Sequence, residues 1–210
     1  MCRAYCISRM SLKTSYRFIA PFYDAFLERG IAAGIRRRSL ARLPQQDVAR
    51  VLISGAGTGL DFPFLPPQHD YVALDLTAAM LAQAKPRISG LQMQIMRGDS
   101  MVLPFASHSF DYVVLHLIVA VVPQPQRCLA EAARVLKPGG RILLFDKFLK
   151  RGQLALLRRA LNPFVARVAT RLDVVFEDIL EAAPGLRVLA DEPVLAGGWF
   201  RLIELQKEGA

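Results

Sequence analysis

Three glycines and an aspartate form the strongest chemical signal in the sequence. The apolar residues 51–54 lead into Gly55, Gly57 and Gly59, and Asp61 follows. This pattern predicts a strand, a tight turn and the start of a helix, because glycine tolerates the backbone angles of such a turn and leaves its peptide groups uncovered. The turn is therefore expected to hold a nucleotide-like molecule.

A second acidic residue ends the next apolar run. Residues 71–75 read YVALD, so Asp75 comes about twenty residues after the first glycine. A carboxylate at the tip of a second parallel strand suits a bidentate hydrogen bond to ribose hydroxyls. Sites for NAD and for S-adenosylmethionine (SAM) both use this arrangement, so these residues alone leave the cofactor open.

Two later segments contain several short motifs in a fixed order. The segments are GDSMVLPFASHSFDYVVLHLIVAVVP, residues 98–123, and CLAEAARVLKPGGRILLFD, residues 128–146. They resemble the class I SAM-dependent methyltransferases, within their methyltransferase type 11 and UbiE-like group, which have GD, PF, SFD and RVLKPGG in this order and at similar spacing. The resemblance covers about residues 14–148 well and the remainder loosely. Within the family, the chain is loosely similar to bacterial phosphatidylethanolamine N-methyltransferases and to ubiquinone-type methyltransferases.

The resemblance implies SAM as the cofactor and gives the motif residues their roles. Asp75 would bind the ribose, and Asp99 would accept a hydrogen bond from the adenine amino group. The other implied SAM-binding residues are Gly55, Ala56, Gly57, Thr58, Gly59, Leu76, Met80, Ser100, Met101, His116, Tyr16 and Tyr23.

The two tyrosines belong to an aromatic segment, YRFIAPFYD, at residues 16–24. It resembles the segment that folds over SAM in ubiquinone and phospholipid methyltransferases, where an aromatic face would attract the sulfonium cation. Packing of Phe18, Phe22 and Tyr23 onto the sheet is the alternative.

One position departs from the family pattern. The family usually has an acid two residues before the first glycine, where it helps to hold the amino group of the SAM methionine, and this chain has Ile53. Ser54 is predicted to point to the other side of the strand, because side chains alternate along a strand. Backbone carbonyls or Tyr16 and Tyr23 are expected to replace the missing contact.

His116, at the end of the fourth predicted strand, is the candidate catalytic residue. The family places residues that face the transferable methyl group here, and an imidazole can accept a proton from a substrate hydroxyl or ammonium. The alternative is a histidine that pairs with backbone groups inside an apolar pocket. Asp146 and Lys147 either line the substrate opening or pair with each other, and His69 and His108 are expected in exposed loops.

The elements that must position these residues follow from the order of the apolar runs. Strands are predicted near 50–54, 70–75, 91–97, 110–116 and 140–147, with helices between them, which favours a parallel sheet. The last two runs, LRVLADEPV and WFRLIELQK, lack an intervening helix and resemble the closing hairpin of the family. We therefore expect a Rossmann-like α/β fold with a seven-stranded, mostly parallel sheet, an antiparallel final strand and helices on both faces.

Composition suits one domain. The chain has 210 residues, of which 53% are apolar. We expect a helical cap over residues 1–45, with two helices at 13–43 split near Pro21 or Gly30, a SAM-binding core over 46–148, and substrate-side helices with the C-terminal hairpin over 149–210.

The sequence predicts a cytoplasmic protein. No stretch of eighteen uncharged apolar residues is present, and the first ten residues lack the apolar core of a secretory signal. The cysteines at 2, 6 and 128 form no metal-ligand cluster, and Cys128 is expected on a buried helix face. Met10 is an alternative start.

Charge is concentrated after the fifth predicted strand. The formal net charge is +9, and residues 147–171 contain seven basic and no acidic residues, interleaved with leucines. Such a basic amphipathic segment, with Arg36, Arg37 and Arg38, predicts peripheral contact with an anionic membrane, at the inner surface. A solvated basic face is the alternative. Nucleic acid is disfavoured, because aromatic residues do not interleave with the basic run.

These features together predict a SAM-dependent methyltransferase without a metal, acting on a small amphiphilic or lipid acceptor. Phospholipid N-methylation is the first expectation. The alternatives are C- or O-methylation of a quinone or another small molecule, and a SAM-binding protein without transferase activity. An NAD-dependent oxidoreductase is a third alternative.

Overall fold

A computed structural model describes residues 31–149 and 174–209 of the chain. It contains one seven-stranded sheet. The strands are β1 (Arg50–Ser54), β2 (Asp70–Asp75), β3 (Gln92–Arg97), β4 (Phe110–His116), β5 (Leu136–Lys147), β6 (Leu186–Leu195) and β7 (Phe200–Lys207). Their order in the sheet is β3-β2-β1-β4-β5-β7-β6. Strands β1 to β5 are parallel, and β7 runs antiparallel to both of its neighbours.

Helices flank the sheet in the described ranges. They are α1 (Ile31–Leu40), α2 (Ala78–Ala84), α3 (Pro125–Val135) and α4 (Phe176–Glu181), and short 3₁₀ turns lie at Phe62–Phe64, Lys85–Ile88 and Ala196–Gly198. Helix α3 begins with Pro125, whose missing N–H costs nothing in a first turn. Its apolar residues recur three and four positions apart, so Cys128, Leu129 and Ala132 form one buried face.

The core lies on both faces of the sheet because successive strand residues point in opposite directions. Leu52 of β1 packs in one buried cluster with Val72 and Val113. Its neighbours Val51 and Ile53 pack in another cluster on the opposite face. Each such side chain contributes about 1.5–3 kcal/mol through burial. The predicted fold is confirmed, including the closing antiparallel hairpin.

Strand β5 begins earlier than predicted. Leu136 already pairs with Phe110, and the register then shifts before Tyr112 pairs with Arg141. The extra residues include Gly140, where a Cβ would lie 2.8 Å from the carbonyl oxygen of Asp111. The KPGG segment is therefore an irregularity within the strand and not a turn before it.

The glycine turn leads into a 3₁₀ turn and not into the predicted helix. Phe62–Phe64 forms this turn. Pro63, Pro66 and Pro67 follow the glycines closely, and proline inside a helix removes a donor and disfavours helical geometry at the preceding residue. The glycine loop therefore lacks the aligned amide groups of a long helix.

Two histidines were expected in exposed loops. His108 is exposed, but His69 is fully buried and the expectation for it was wrong. Its Nδ1 accepts a hydrogen bond from the backbone N–H of Ala49 at 3.1 Å, and its ring packs edge-on against Tyr71. His69 thus connects the loop before β2 to the start of β1.

The described residues include the last part of the predicted N-terminal cap. Helix α1 covers residues 31–40, within the predicted 13–43, and the earlier residues lie outside the described ranges. None of the described helices is long and apolar enough to cross a membrane.

Candidate active site

The residues predicted to bind a ligand meet at one edge of the sheet. Strands β1 to β4 are neighbours and parallel, so their C-terminal ends lie side by side. Ligands of open α/β sheets bind outside this edge. The glycine loop follows β1, Asp75 ends β2, Asp99 follows β3 and His116 ends β4.

The three glycines of the loop have different neighbours. All have positive φ, at +81° for Gly55, +55° for Gly57 and +80° for Gly59. A Cβ on Gly55 would lie 2.6 Å from Ile118, and one on Gly59 would lie 2.8 Å from the Phe62 ring. A Cβ on Gly57 would have no heavy atom within 4 Å. Gly57 therefore faces the open space that a ligand can fill, while the other two are required by packing.

Asp75 is fixed by the glycine loop. Its Oδ2 accepts a hydrogen bond from the N–H of Gly57 at 2.9 Å, and its Oδ1 accepts one from Thr77 at 2.8 Å. Burial raises the pKa of Asp75, although both hydrogen bonds act in the other direction. Each carboxylate oxygen has a further lone pair, so the group can still accept two hydroxyl groups of a ribose.

The predicted adenine side has polar and apolar parts. Asp99 Oδ1 accepts a hydrogen bond from the N–H of Met101 at 2.9 Å. Leu76, at 44% exposure, presents apolar surface after β2. Met80 is partly buried.

Ser54 and Ile53 lie on opposite sides of β1, as predicted. Ser54 donates a 2.8 Å hydrogen bond to the hydroxyl of Ser100, and both serines are buried. Ile53 packs in the apolar cluster on the other face. The side chain at position 53 is therefore part of the core and offers no charge to a ligand.

His116 lies in a buried polar cluster formed with Ser39, Asp61 and Arg36. Its Nε2 lies 2.9 Å from Ser39 Oγ and its Nδ1 lies 2.8 Å from Asp61 Oδ1. Arg36 donates to the same Asp61 oxygen at 2.7 Å. All four residues are at most 6% exposed. The alternative in which His116 pairs with backbone groups was wrong, because its partners are side chains.

Asp61 is ionised in this cluster. Burial alone would raise its pKa, but the charges of His116 and Arg36 and their hydrogen bonds outweigh this effect and hold the pKa well below its ordinary value. The roles of Arg36, Ser39 and Asp61 in this cluster were not predicted from the sequence. An acid placed directly after the glycines, and polar residues on the sheet side of α1, were the available signals.

Asp146 supports the loop after β4. Its Oδ2 accepts a hydrogen bond from the N–H of Ala120 at 3.0 Å and its Oδ1 accepts one from the N–H of Lys147 at 2.8 Å. Burial raises the pKa of Asp146 and lowers that of Lys147. Asp146 is 1% exposed, so it does not line an opening. Instead it holds the loop that carries Ile118, which lies against Gly55.

The arginines of α1 do not form one basic surface. Arg36 is buried in its ion pair with Asp61, which corrects the expectation that it faces a membrane. Arg37 lies over the Phe64 ring, with 5.3 Å to the centroid. Arg38 is 57% exposed but pairs with Glu192. The basic surface of α1 is therefore smaller than the sequence predicts.

Several predicted residues lie outside the described ranges. They are Tyr16, Tyr23, Phe18, Phe22 and residues 150–171 of the basic segment. Within the described ranges, no three His, Cys, Asp or Glu side chains are grouped to hold a metal ion. Cys128 is a free thiol on the buried face of α3, as predicted, and burial raises its pKa to about 12.

Known proteins match this chain both in sequence and in fold. The family described as "Methyltransferase domain" matches residues 52–144. A phosphatidylethanolamine N-methyltransferase of Cereibacter sphaeroides is 31% identical over 177 residues, which is 82% of this chain and 86% of that protein. The chain belongs to the class I SAM-dependent methyltransferases.

Further relatives of this methyltransferase differ in their acceptors. A demethylmenaquinone methyltransferase of Parafrankia sp. is also 31% identical, over 88% of this chain and 84% of that protein. A Thermotoga maritima structure described as a SAM-dependent methyltransferase, possible histamine N-methyltransferase, has a TM-score of 0.67 at 19% identity, covering 93% of this chain and 99% of that one. The last match supports the fold alone.

SAM is therefore the cofactor of this methyltransferase, and the NAD-dependent alternative was wrong. The described residues fit SAM. Gly57 leaves space beside its peptide group, and the Asp75 carboxylate, which accepts the Gly57 N–H, keeps further lone pairs for a ligand. When bound, SAM supplies a methyl group already activated on a sulfonium.

Proposed function

We propose that this methyltransferase methylates an amphiphilic acceptor and that the acceptor atom is the primary amine of phosphatidylethanolamine. The supporting observation is the similarity to the Cereibacter sphaeroides enzyme along most of both chains. A match of this extent includes residues before β1 and after β5, outside the SAM-binding core. A match limited to the SAM-binding core would carry no information about the acceptor.

The amine must lose its proton before transfer, because only the neutral nitrogen has a lone pair. That lone pair forms the new N–C bond while the bond from the methyl carbon to sulfur breaks, and the product ammonium then releases a proton. Such a transfer depends mainly on in-line positioning. The residues that do this are the glycine loop, Asp75 and Asp99, which hold the adenosine, and the loop after β4, which Asp146 holds in place.

A role for His116 as the general base stays a prediction. In the described structure its two ring nitrogens are hydrogen-bonded to the side chains of Ser39 and Asp61. A proton from the acceptor would therefore have to reach the imidazole through Ser39, or after a rearrangement of Ser39.

Quinone C-methylation is the second candidate. The Parafrankia demethylmenaquinone methyltransferase matches this chain over a similar share of its length and at the same identity. Both acceptors are amphiphilic and reside in membranes. We propose accordingly that the enzyme is cytoplasmic and contacts the inner membrane surface through residues 150–171 of the predicted basic segment. Phe148 and Leu149, at the start of the predicted segment 147–171, are buried and are not part of this contact.

Labelled SAM distinguishes these acceptors. The purified full chain is incubated with methyl-labelled SAM and vesicles that contain phosphatidylethanolamine, or reduced demethylmenaquinone in a phosphatidylcholine matrix, and the lipids are analysed by mass spectrometry. We expect labelled N-methylated phosphatidylethanolamine. Label in the quinone alone would favour the second candidate. Binding of S-adenosylhomocysteine without transfer to either lipid would contradict the proposal.

A further inference from the structure

The strand order places the parts of a bound SAM along the edge of the sheet. Asp99 follows β3, Asp75 ends β2 and the glycine loop follows β1, in the spatial order β3-β2-β1. Adenine at Asp99 and ribose at Asp75 leave the third part of the molecule, its amino acid, to continue past β1 toward β4. Three strand spacings, about 14 Å, separate the first and last of these strands.

The amino acid end of SAM is a zwitterion with an ammonium and a carboxylate. A site for it needs an acceptor and a donor of opposite charge close together. At the β4 side of the glycine loop, the described structure has such a pair in Arg36 and Asp61. Asp61 follows Gly59 by two residues, and its bond to His116 places its carboxylate at the end of β4.

Both members of the pair keep unused hydrogen-bonding capacity. The hydrogen bonds of His116 and Arg36 are both made to Oδ1 of Asp61, and no described residue donates a hydrogen bond to Oδ2. Arg36 donates through Nη1, while its buried Nε has no partner among the described residues. A buried donor without a partner destabilises the protein, because it has lost its hydrogen bond to water. A ligand carboxylate would satisfy it, and the planar guanidinium suits carboxylate geometry.

We propose that Arg36 and Asp61 form the subsite for the amino acid end of SAM, with Arg36 binding the carboxylate and Asp61 Oδ2 binding the ammonium. The charges of Arg36, the ligand carboxylate, the ligand ammonium and Asp61 then alternate in sign. His116 and Ser39 are positioning residues, because they fix the other oxygen of Asp61. Ile53 is packed in the core, so β1 supplies no competing acid. The subsite rests on SAM binding and not on the identity of the methyl acceptor.

Two nucleosides distinguish binding at this subsite from binding at the rest of the cofactor site. S-adenosylhomocysteine has the amino acid, and 5′-methylthioadenosine lacks it but keeps the adenosine and the sulfur. Calorimetry gives the dissociation constants of both for each variant. Their ratio is independent of the fraction of folded protein, because both ligands are measured on the same sample.

Arg36→Gln should weaken S-adenosylhomocysteine binding by about tenfold to a hundredfold and change methylthioadenosine binding by less than about twofold. Arg37→Gln, at the next and exposed position of α1, should change neither. Arg36→Lys keeps a charge beside Asp61 but lacks the planar fork, and should show a smaller selective loss. This variant decides the matter if Arg36→Gln does not fold.

Equal losses for the two nucleosides, or no loss for either, would overturn the subsite and leave the Arg36–Asp61 pair a structural ion pair. Failure of the wild-type chain to bind S-adenosylhomocysteine would contradict SAM dependence itself. Selective loss without transfer to phosphatidylethanolamine would support the subsite and reject only the proposed acceptor.

Discussion

The side chain of Ile118 lies directly against the backbone of Gly55. A Cβ at position 55 would lie 2.6 Å from Cγ1 and 2.7 Å from Cβ of Ile118. The two residues belong to the loops after β4 and β1, which face each other at the cofactor edge. Ile118 is in turn held by Asp146, through the N–H of Ala120 two residues later. This contact sets the separation between the SAM loop and the loop predicted to face the methyl group.

Gly55→Ala should therefore destabilise the protein for two reasons. The positive φ costs a residue with a Cβ about 1–2 kcal/mol, and displacement of Ile118 adds about 1–3 kcal/mol of overpacking. Gly90→Ala is the matched control, because Gly90 has a similar φ of +78° and no heavy atom within 4 Å of the added Cβ. Urea unfolding should show a larger loss for Gly55→Ala. Equal losses of unfolding free energy would mean that Ile118 can move away from the added Cβ without destabilising the protein.

Asp75→Ala should weaken S-adenosylhomocysteine binding about tenfold to a hundredfold, because it removes a charge-assisted contact worth about 1.5–3 kcal/mol. The control is Asp70→Ala, at the exposed opposite end of β2, which should leave the dissociation constant unchanged. Calorimetry measures both. An unchanged dissociation constant for Asp75→Ala would refute the ribose assignment.

The affinity for S-adenosylhomocysteine should also depend on pH through Asp75. Its pKa lies above the ordinary value of 3.8 because the group is buried. Ribose hydroxyls bind the ionised form, so affinity is full above this raised pKa and falls as pH decreases through it. As the pH falls, the wild-type chain should begin to lose affinity at a higher pH than the one at which an ordinary carboxyl group becomes protonated. Asp75→Asn should lack this pH dependence. A pH-independent wild-type affinity above pH 3.8 would contradict the assignment.

His116→Gln tests the general-base prediction. A base that acts directly should give a turnover loss of about a hundredfold or more, with SAM affinity nearly unchanged. A positioning role, which the hydrogen bonds of both ring nitrogens to buried side chains support, predicts instead a turnover loss of tenfold or less, with lower stability and weaker S-adenosylhomocysteine binding through Asp61. Ser39→Ala is the companion variant, since it leaves the imidazole free at Nε2. Steady-state kinetics and urea unfolding separate the two roles.

Residues 150–171 of the predicted basic segment are expected to bind anionic membranes. Arg158→Glu with Arg159→Glu should abolish co-sedimentation with anionic vesicles and leave SAM binding intact, because both residues lie outside every SAM motif. Wild-type binding should fall as salt rises, since surface charges are screened over about 8–10 Å near physiological ionic strength. Lys85→Glu with Arg187→Glu makes the same charge change outside the basic segment and should retain binding. If co-sedimentation depended neither on the charge of the lipid nor on the substitutions at Arg158 and Arg159, the segment would not be the membrane contact.

The order of apolar runs was sufficient to predict the sheet. Strands β1, β2 and β4 have the predicted bounds, because a buried parallel strand is an uninterrupted apolar segment between polar turns. Gly57 and Asp75 were identified for a similar reason: the turn and the strand tip are local features, and their meeting follows from parallel pairing of adjacent strands. Local errors, such as the missing helix after Gly59, arose where nearby prolines overrode the pattern.

The amino-acid sequence by itself determined the fold and the positions of the glycine loop and of Asp75 at the end of β2. Only the tertiary structure decided the partners of the buried charges. Arg36 and Asp61 are 25 positions apart, and Ser39 and His116 are 77 apart. The same composition is compatible with Arg36 on the surface and His116 free in the pocket. Burial makes the difference, because a charge removed from water must find a partner of opposite sign, and that partner is chosen by which elements pack together and not by spacing along the chain.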